Sequence, residues 1–274
     1  MPELPEVETM TRDLRKKIIG STVDDIAIYD HRVIKDVAPP VFIRRLKGRN
    51  FTSVERRGKG IILKMDNGSF LFVQVKMTGY FVYGPNLKEN NDSKETKVIF
   101  RLSNGKFLNY NDQRLFGWLI LVDRLEDIPY LNTIGPEPLG DEFSVDWFYR
   151  QLKNKTSPIK PLLMNQQFIA GIGNIYASEI LFSAGVHPEK TAGKLTKIQV
   201  ERIHWSTIKV LEESIKFRGT SMRNYRDSSG KKGRYLDRIK IYGKEHKECP
   251  VCDRPIKRIV QAQRSTFFCE QCQK

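Results

Sequence analysis

Two residues at the start of the chain could together break a bond at a sugar carbon. If Met1 is removed, Pro2 becomes a free secondary amine beside the carboxylate of Glu3. A secondary amine that attacks a carbonyl or a sugar C1′ gives a positively charged iminium, which draws electrons in later eliminations. The usual α-amino pKa of about 7.7–8.0 leaves part of such an amine unprotonated near neutral pH. The same stretch is also an ordinary start of a helix, so both interpretations stay open at this point.

The four cysteines of the chain form a second chemical group. They stand as two Cys-x2-Cys pairs separated by 16 residues, namely Cys249, Cys252, Cys269 and Cys272. Two hairpin knuckles with this spacing bring four thiolates around one tetrahedral Zn²⁺, and four thiolates leave no position for a catalytic water. Disulfides, which form in oxidising compartments, are the alternative. The spacing therefore predicts one structural zinc ion.

The elements that must position these groups change character along the chain. A helix is predicted after Pro5 and ends near Gly20. Short β-type runs then continue to residue 122, with a polar loop at 87–96, and indicate an antiparallel sandwich or flattened barrel. Amphipathic helical runs dominate from 145 to 217. The fold class predicted from this order is an α+β multidomain protein.

Proline and glycine mark the boundary between the two kinds of structure. Residues 124–145 contain Pro129, Gly135, Pro136, Pro138 and Gly140 without periodicity, which is typical of a hinge. We therefore predict four parts: a β-sandwich domain with the N-terminal helix at 1–123, a hinge at 124–145, a helical domain with a basic loop at 146–240, and a zinc-finger hairpin at 241–274.

The charge of the chain indicates a polyanionic partner. Its 47 Lys and Arg against 32 Asp and Glu give a net charge of +15, and residues 216–264 alone hold 15 Lys and Arg against 5 Asp and Glu. The apolar runs stop far short of the ~18 residues that a membrane span needs, and the first residues are acidic rather than basic. We therefore expect a cytoplasmic protein without a membrane partner.

Four motifs together carry a resemblance that covers essentially the whole chain. They are Pro2-Glu3-Leu4-Pro5-Glu6-Val7-Glu8, Glu55-Arg56-Arg57-Gly58-Lys59, Ala170-Gly171-Ile172-Gly173-Asn174-Ile175-Tyr176 and Arg264-Ser265-Thr266-Phe267-Phe268-Cys269. With them the sequence closely resembles bacterial formamidopyrimidine-DNA glycosylases, which excise oxidised purines and cut the backbone at the abasic site. The resemblance implies a β-sandwich domain, a hinge, a helix-two-turn-helix domain and a zinc finger.

The resemblance also implies roles for single residues. Pro2 would attack C1′ and form the Schiff base, and Glu3 would supply the proton that opens the sugar. Lys59 would act in β-elimination, and Arg264 in phosphate binding and δ-elimination. Without the resemblance, Lys59 would be taken for a solvent-facing lysine after a tight turn.

Further matched positions concern the DNA, which would lie in the cleft between the domains with the damaged nucleotide turned out of the stack. Asn174, Lys155, Lys97 and Arg114 match residues that contact DNA. Met77 and Phe116, which on the sequence alone would more often be core residues, join Arg114 in filling the gap left by the flipped base. The implied partner is double-stranded DNA with oxidised bases or abasic sites, bound by a monomer at the bacterial nucleoid.

Several positions depart from the family pattern. Gln74-Val75-Lys76 stands where His-Leu-Arg is common, Lys97 replaces a typical histidine, and Leu115 replaces a lysine. A lysine keeps the positive charge but lacks the planar geometry of Arg or His. The loop at 217–240, which the family uses to grip the everted base, also differs, so no contacts are assigned to it.

Two other functions fit the same residues. A non-catalytic lesion-binding protein would bind DNA with a steep salt dependence and leave the strands intact. An endonuclease VIII-like enzyme would remove oxidised pyrimidines by the same chemistry. The presence of Pro2, Glu3 and Lys59 disfavours the first, and the set Met77, Arg114 and Phe116 disfavours the second.

Overall fold

The structure, a computed structural model, describes residues 1–85, 95–222 and 225–274. The chain forms two units. The N-terminal unit consists of Met1–Asn132 and Phe217–Leu236, and the second unit of Thr133–Lys216 and Asp237–Lys274. Residues 87–94 of the predicted polar loop lie outside the described residues. The four-part division at 123, 145 and 240 stays a prediction.

The helices of the described residues occur in both units. They are α1 (Leu4–Ile18), α2 (Pro39–Leu46), α3 (Pro129–Thr133), α4 (Val145–Leu152), α5 (Ile159–Met164), α6 (Asn174–Ala184) and α7 (Lys197–Lys216). Among these residues no helix combines the length and the apolar character needed to cross a lipid bilayer.

The strands form two larger sheets and one hairpin. They are β1 (Val23–Ile28), β2 (Ile34–Lys35), β3 (Phe51–Arg57), β4 (Gly60–Met65), β5 (Phe70–Gln74), β6 (Gly79–Gly84), β7 (Thr96–Leu102), β8 (Phe107–Asp112), β9 (Trp118–Val122), β10 (Lys257–Gln261) and β11 (Arg264–Phe268). The sheet orders are β1-β7-β8-β6, β2-β9-β5-β4-β3 and β10-β11. All neighbouring strands run antiparallel except β2 and β9.

The core of the N-terminal unit explains why α1 is held firmly. Val7, Met10, Leu14 and Ile18 lie on one face of α1 at helical spacing and are fully buried with the inner residues of both sheets. Burying an apolar side chain of this size contributes about 1.5–3 kcal/mol, so the four together fix the helix against the sheets. The start of α1 is thereby fixed as well.

The second unit is built around α6. This helix is buried on nearly all sides and packs against α5, α7 and β11. Its apolar residues run all round the helix, which is typical of a central helix. Phe182 of α6 shares a small apolar cluster with Cys249 and Cys269 of the cysteine-bearing hairpin.

The predicted strands and long helices occur where the sequence pattern placed them, and the short elements α2, α3 and β2 were missed. The helix α2 interrupts the β-rich region, with two prolines at its first positions and Phe42 and Leu46 buried one turn apart. A helix of this length buries too few residues to display a clear period in the sequence.

Candidate active site and nucleic-acid interface

The start of α1 places Pro2 and Glu3 inside the N-terminal unit. Glu3 is 3% exposed and Pro2 is buried, whereas Met1 is 55% exposed. The Glu6 carboxylate, one turn along, accepts a hydrogen bond from the N–H of Glu3 at 2.8 Å and another from the N–H of Thr220 at 2.6 Å. The backbone next to the Pro2 nitrogen is thus held in place by a buried carboxylate.

Lys59 lies in the tight turn between β3 and β4. Gly58 has φ +56°, a conformation that favours glycine, and the N–H of Lys59 donates to the Tyr130 hydroxyl at 3.2 Å. Arg56 joins this turn to α1, because it donates to the Glu8 carboxylate at 2.8 Å and to the Gly58 carbonyl at 3.1 Å. One guanidinium therefore connects the helix that begins beside Pro2 with the turn that carries Lys59.

The three side chains expected to fill the gap in the DNA lie together in the structure. The guanidinium of Arg114 stacks on the ring of Phe116, 4.6 Å from its centre, and its Nη1 is 3.4 Å from the Met77 sulfur. All three are exposed, Met77 to 38% and Phe116 to 46%. Large apolar side chains are seldom left this exposed in a group without a partner to meet, so the arrangement favours contact with a ligand.

A buried carboxylate beneath these side chains joins the two loops that carry them. Asp112 accepts hydrogen bonds from the Thr78 hydroxyl, from the N–H of Arg114 at 3.2 Å and from the N–H of Gly117 at 2.7 Å. Thr78 directly follows Met77 in the chain. Asp112 therefore fixes the first loop to the second from below.

Two positions that depart from the family pattern also occur in these loops. Lys76 has φ +49° and Leu115 has φ +56°, which residues other than glycine rarely adopt. The ammonium of Lys76 lies 4.1 Å from the centre of the Trp118 ring, and burial lowers the pKa of this lysine. Leu115 packs against the core of the unit. Both departures thus have partners within the protein.

Lys97, expected to contact DNA, lies in β7 and is only 8% exposed. Its backbone carbonyl accepts a hydrogen bond from the N–H of Tyr29 at 2.8 Å. Hydrogen bonds from Arg32 lower the pKa of Asp30 to about 2, and the nearby charge of Lys97 contributes to this. A role of Lys97 in DNA binding stays a prediction.

In the second unit, Asn174 begins α6 and is fixed by a buried lysine. Its Oδ1 accepts a hydrogen bond from Lys160 Nζ at 2.6 Å, and its Nδ2 donates to the Ser265 carbonyl at 3.0 Å and to the Tyr242 hydroxyl at 3.5 Å. Lys160 is 1% exposed and also donates to Thr266 Oγ1 at 2.7 Å. These contacts tie the N-terminus of α6 to β11, the strand that begins with Arg264.

Arg264 stands at the tip of the β10–β11 hairpin and is exposed. It pairs with Gln261 across a two-residue turn, in which Ala262 has φ +46° and Gln263 has φ +60°. Such a turn usually takes Asn or Gly, so the backbone before Arg264 is strained. The strained turn thus presents the exposed guanidinium of Arg264 at the end of the hairpin.

Lys155 follows α4 and is exposed. Its backbone is fixed on both sides, since its N–H donates to the Leu152 carbonyl at 3.0 Å and its carbonyl accepts from the Gly193 N–H at 2.9 Å. The side chain is available to a phosphate, and its role in DNA binding stays a prediction.

The four cysteines come together as a possible metal site. Their Sγ atoms all lie within 4.8 Å of one another, with Cys249 and Cys272 at 3.8 Å and Cys252 and Cys269 at 3.4 Å. A tetrahedron with Zn–S bonds of about 2.3 Å has edges of about 3.8 Å. The thiols are not joined as disulfides, and the donor set fits one structural Zn²⁺.

Comparison with known proteins accounts for this combination of groups. Residues 1–119 match the formamidopyrimidine-DNA glycosylase N-terminal domain, residues 134–226 the formamidopyrimidine-DNA glycosylase H2TH domain, and residues 247–274 the zinc finger found in FPG and IleRS. The chain belongs to the formamidopyrimidine-DNA glycosylase family. The resemblance deduced from the motifs, the α+β multidomain fold class and the zinc ion are thereby confirmed.

Relatives with the same domains match over their whole length. Formamidopyrimidine-DNA glycosylase of Desulforamulus reducens is 40% identical over 100% of this chain and 99% of its own. A Lactococcus lactis FPG mutant in complex with Fapy-dG-containing DNA matches with a TM-score of 0.92 at 32% identity and 100% coverage of both chains. Lactococcus lactis Fpg with abasic-site DNA matches with a TM-score of 0.91 at 32% identity and 99% coverage of both.

The sequence motifs contain predicted site residues, but the sequence did not show which other residues hold them in place. Glu6, Asp112, Lys160 and Tyr242 hold Glu3, the gap-filling loops and Asn174. Glu6 stands within the first motif, but the sequence assigned no role to any of the four. Each contacts residues that are distant in the chain, the Lys160–Thr266 contact spanning 106 positions. The available signal was the residue type: a lysine in the apolar α5 run and an acid in the apolar β8 run need partners when buried.

Proposed function

We propose that this protein removes oxidised purines, including 8-oxoguanine and formamidopyrimidines, from double-stranded DNA and then cuts the backbone at the abasic site. The observation that carries the proposal is that Pro2 and Glu3 are buried at the start of α1, where Glu6 holds the backbone of Glu3. All three domains of the chain also match the family. The related Fpg structures contain DNA with Fapy-dG or with an abasic site. These correspond to the substrate and the intermediate of the proposed activity.

The first half of the reaction breaks the bond between sugar and base. The Pro2 nitrogen, freed by removal of Met1, attacks C1′ while the C1′–N bond breaks, and the base leaves with a proton. Glu3 gives a proton to the ring oxygen O4′, which opens the sugar and leaves an iminium between Pro2 and C1′. No oxidant or reductant takes part.

The second half removes the sugar from the strand. Loss of a proton from C2′ turns the iminium into an enamine, which expels the 3′ phosphate and becomes a conjugated iminium. Loss of a proton from C4′ then allows a second elimination, which expels the 5′ phosphate. Lys59 and Arg264 supply positive charge to the phosphate and sugar oxygens as these bonds break. Water then hydrolyses the remaining iminium, which releases the sugar fragment and restores the Pro2 amine.

The other groups bind and shape the DNA. Met77 and Phe116 enter the gap left by the everted nucleotide, and the Arg114 guanidinium hydrogen-bonds the orphaned base. Asn174, Lys155 and Lys97 hold phosphates, and the zinc ion keeps the hairpin that presents Arg264 folded. The protein acts as a monomer on the chromosomal DNA of the bacterial cytoplasm, at the nucleoid.

A comparison of substrates tests this proposal. We expect release of 8-oxoguanine and strand cleavage from duplexes that contain this lesion, and release from a matched thymine glycol duplex at least about tenfold slower, a difference of about 1.4 kcal/mol in transition-state stabilisation. Faster release of thymine glycol would assign the enzyme to oxidised pyrimidines. Lesion binding without release or cleavage would show a binding protein.

A further inference from the structure

Asp13 and Lys17 of α1 take no part in the proposed chemistry, yet they contact the segment Phe217–Leu236 of the same unit. Arg218 is the centre of these contacts. Its guanidinium donates to the Asp13 carboxylate at 2.5 Å and to the Asp227 carboxylate through Nε at 2.9 Å and through Nη2 at 2.7 Å. One cation thus joins an acid of α1 to an acid of the segment.

Neighbouring polar groups extend the same contact. Lys17 of α1 donates to the hydroxyls of Ser228 at 2.7 Å and Ser229 at 2.8 Å, and the Ser228 hydroxyl donates to Asp13 at 3.0 Å. Burial lowers the pKa of Lys17, although Asp13 and Asp227 oppose this. The helix and the segment therefore each contribute one cation and one carboxylate to this contact.

The backbone of Arg218 adopts an energetically unfavourable conformation within this contact. Arg218 has φ +64°, a conformation that suits glycine and is unfavourable for arginine. Asp227 is 2% exposed, and its second oxygen accepts the N–H groups of Ser229 and Lys231, both at 2.9 Å. The ion pairs of Arg218 thus offset its strained backbone, and Asp227 shapes the turn that follows.

The same segment also contacts the first turn of α1. Thr220 donates its N–H to Glu6, whose carboxylate holds the N–H of Glu3. Gly219 passes so close that a Cβ at this position would lie 2.7 Å from a Glu6 carboxylate oxygen. A base attached to the C1′ that Pro2 attacks must lie beside the elements that surround the start of α1. The segment is one of these elements.

We propose that Asp13, Arg218 and Asp227 form a positioning clamp, which holds the described parts of the segment, residues 217–222 and 225–236, against α1 and thereby shapes the space that receives the damaged base. The clamp rests on the proposed function and deepens it, because it separates two steps of the reaction. Excision requires the base to be held during attack, whereas cleavage at an abasic site involves no base. The clamp therefore affects excision of the damaged base and does not affect cleavage at an abasic site.

The test compares both activities in variants of the clamp. Arg218→Gly removes both ion pairs and relieves the strained φ, so the variant should fold, which thermal unfolding checks. Asp13→Asn removes one carboxylate. The matched control is Asp123→Asn, which changes the charge equally and removes the partner of Arg45 elsewhere in the same unit. Each protein is assayed on 8-oxoguanine DNA and on abasic-site DNA of the same sequence.

For both clamp variants, we expect kcat/KM for 8-oxoguanine excision to fall about tenfold, because the segment would be correctly placed for only a fraction of the time. Cleavage of abasic DNA should stay within about twofold of the wild type, and Arg218→Lys should recover part of the excision rate. An unchanged ratio of the two activities, or an equal loss of both, would overturn the clamp. Wild-type protein that fails to cut either DNA would instead contradict the proposed function itself.

Discussion

Buried carboxylates hold several of the predicted site residues of the N-terminal unit in place. Glu6 binds the N–H of Glu3 and that of Thr220, and Asp112 binds three donors on two loops. A carboxylate without such partners would be costly to bury. The predicted reactive residues stand within motifs. The sequence did not show how they are held, because a single sequence does not reveal which distant donors an acid will meet.

The Asp112 contacts lead to a prediction about the gap-filling side chains. Asp112→Ala should lower the free energy of unfolding by about 2–4 kcal/mol, because it leaves the Thr78 hydroxyl and the Gly117 N–H without their acceptor. The Arg114 N–H keeps the Thr78 hydroxyl oxygen as an acceptor at 3.1 Å. Urea unfolding measures this loss. Asp112→Asn, which keeps one carbonyl acceptor, should lose clearly less, and an equal loss in both variants would show that the carboxylate does not organise the loops.

Glu8 provides a prediction about pH. Burial raises its pKa, but hydrogen bonds from Arg56 and Arg12 outweigh burial and hold the pKa below the usual value. Because the pKa of Glu8 is lower in the folded than in the unfolded state, its ionisation stabilises the fold fully at pH values above the unfolded-state pKa of about 4.3. This stabilisation is lost as pH falls through the folded-state pKa. Glu8→Gln should therefore be less stable than the wild type at pH 7, and the difference should shrink below about pH 4.

Thermal unfolding of both proteins between pH 3 and 7 measures this effect, at one ionic strength because salt screens charges. Glu55→Gln, on the adjacent β3 and exposed, is the control and should follow the wild type across the range. A constant difference between Glu8→Gln and the wild type would mean that ionisation of Glu8 does not contribute.

Among the helices and strands, those with a clear hydrophobic period were predicted from the sequence, and the shortest ones were missed. Strands β3, β4, β5 and β9 follow apolar patterns bounded by turns, and α7 has a long amphipathic period. The two-residue β2 and the short α2 have no room for a period, and their positions follow from packing. The strained turn before Arg264 was also not predictable, because neither Ala262 nor Gln263 is a residue typical of such turns.

The zinc-finger hairpin is the element whose stability depends most on a ligand. Without zinc, neither a metal bond nor a disulfide joins the two cysteine pairs, so the hairpin should loosen. Removal of zinc by a chelator should lower the affinity for abasic DNA by about tenfold or more, and added zinc should restore it. Zinc content and DNA binding are measured on the same samples. Full affinity without zinc would show that the hairpin does not depend on the metal.

At the scale of the whole molecule, charge and motif order were sufficient to predict the kind of partner. The net charge of +15 indicated a polyanionic partner, the four motifs carried the resemblance to DNA glycosylases, and the family match over all three domains confirmed that resemblance. The proposed chemistry was inferable from the sequence, because Pro2, Glu3 and Lys59 stand within the motifs of the resemblance. The clamp of Arg218 was not, because its three members come from two segments more than 200 positions apart.

The central claim is that the Pro2 amine is the nucleophile, and a trapping experiment tests it most directly. Borohydride reduces the iminium to a stable amine, so protein with Pro2 as its first residue, verified by mass, should become covalently attached to 8-oxoguanine DNA. The same protein with an N-terminal extension that keeps the Pro2 nitrogen in an amide should give no covalent complex and no strand cleavage. Equal trapping by the extended protein would contradict the account, since another amine would then be the nucleophile.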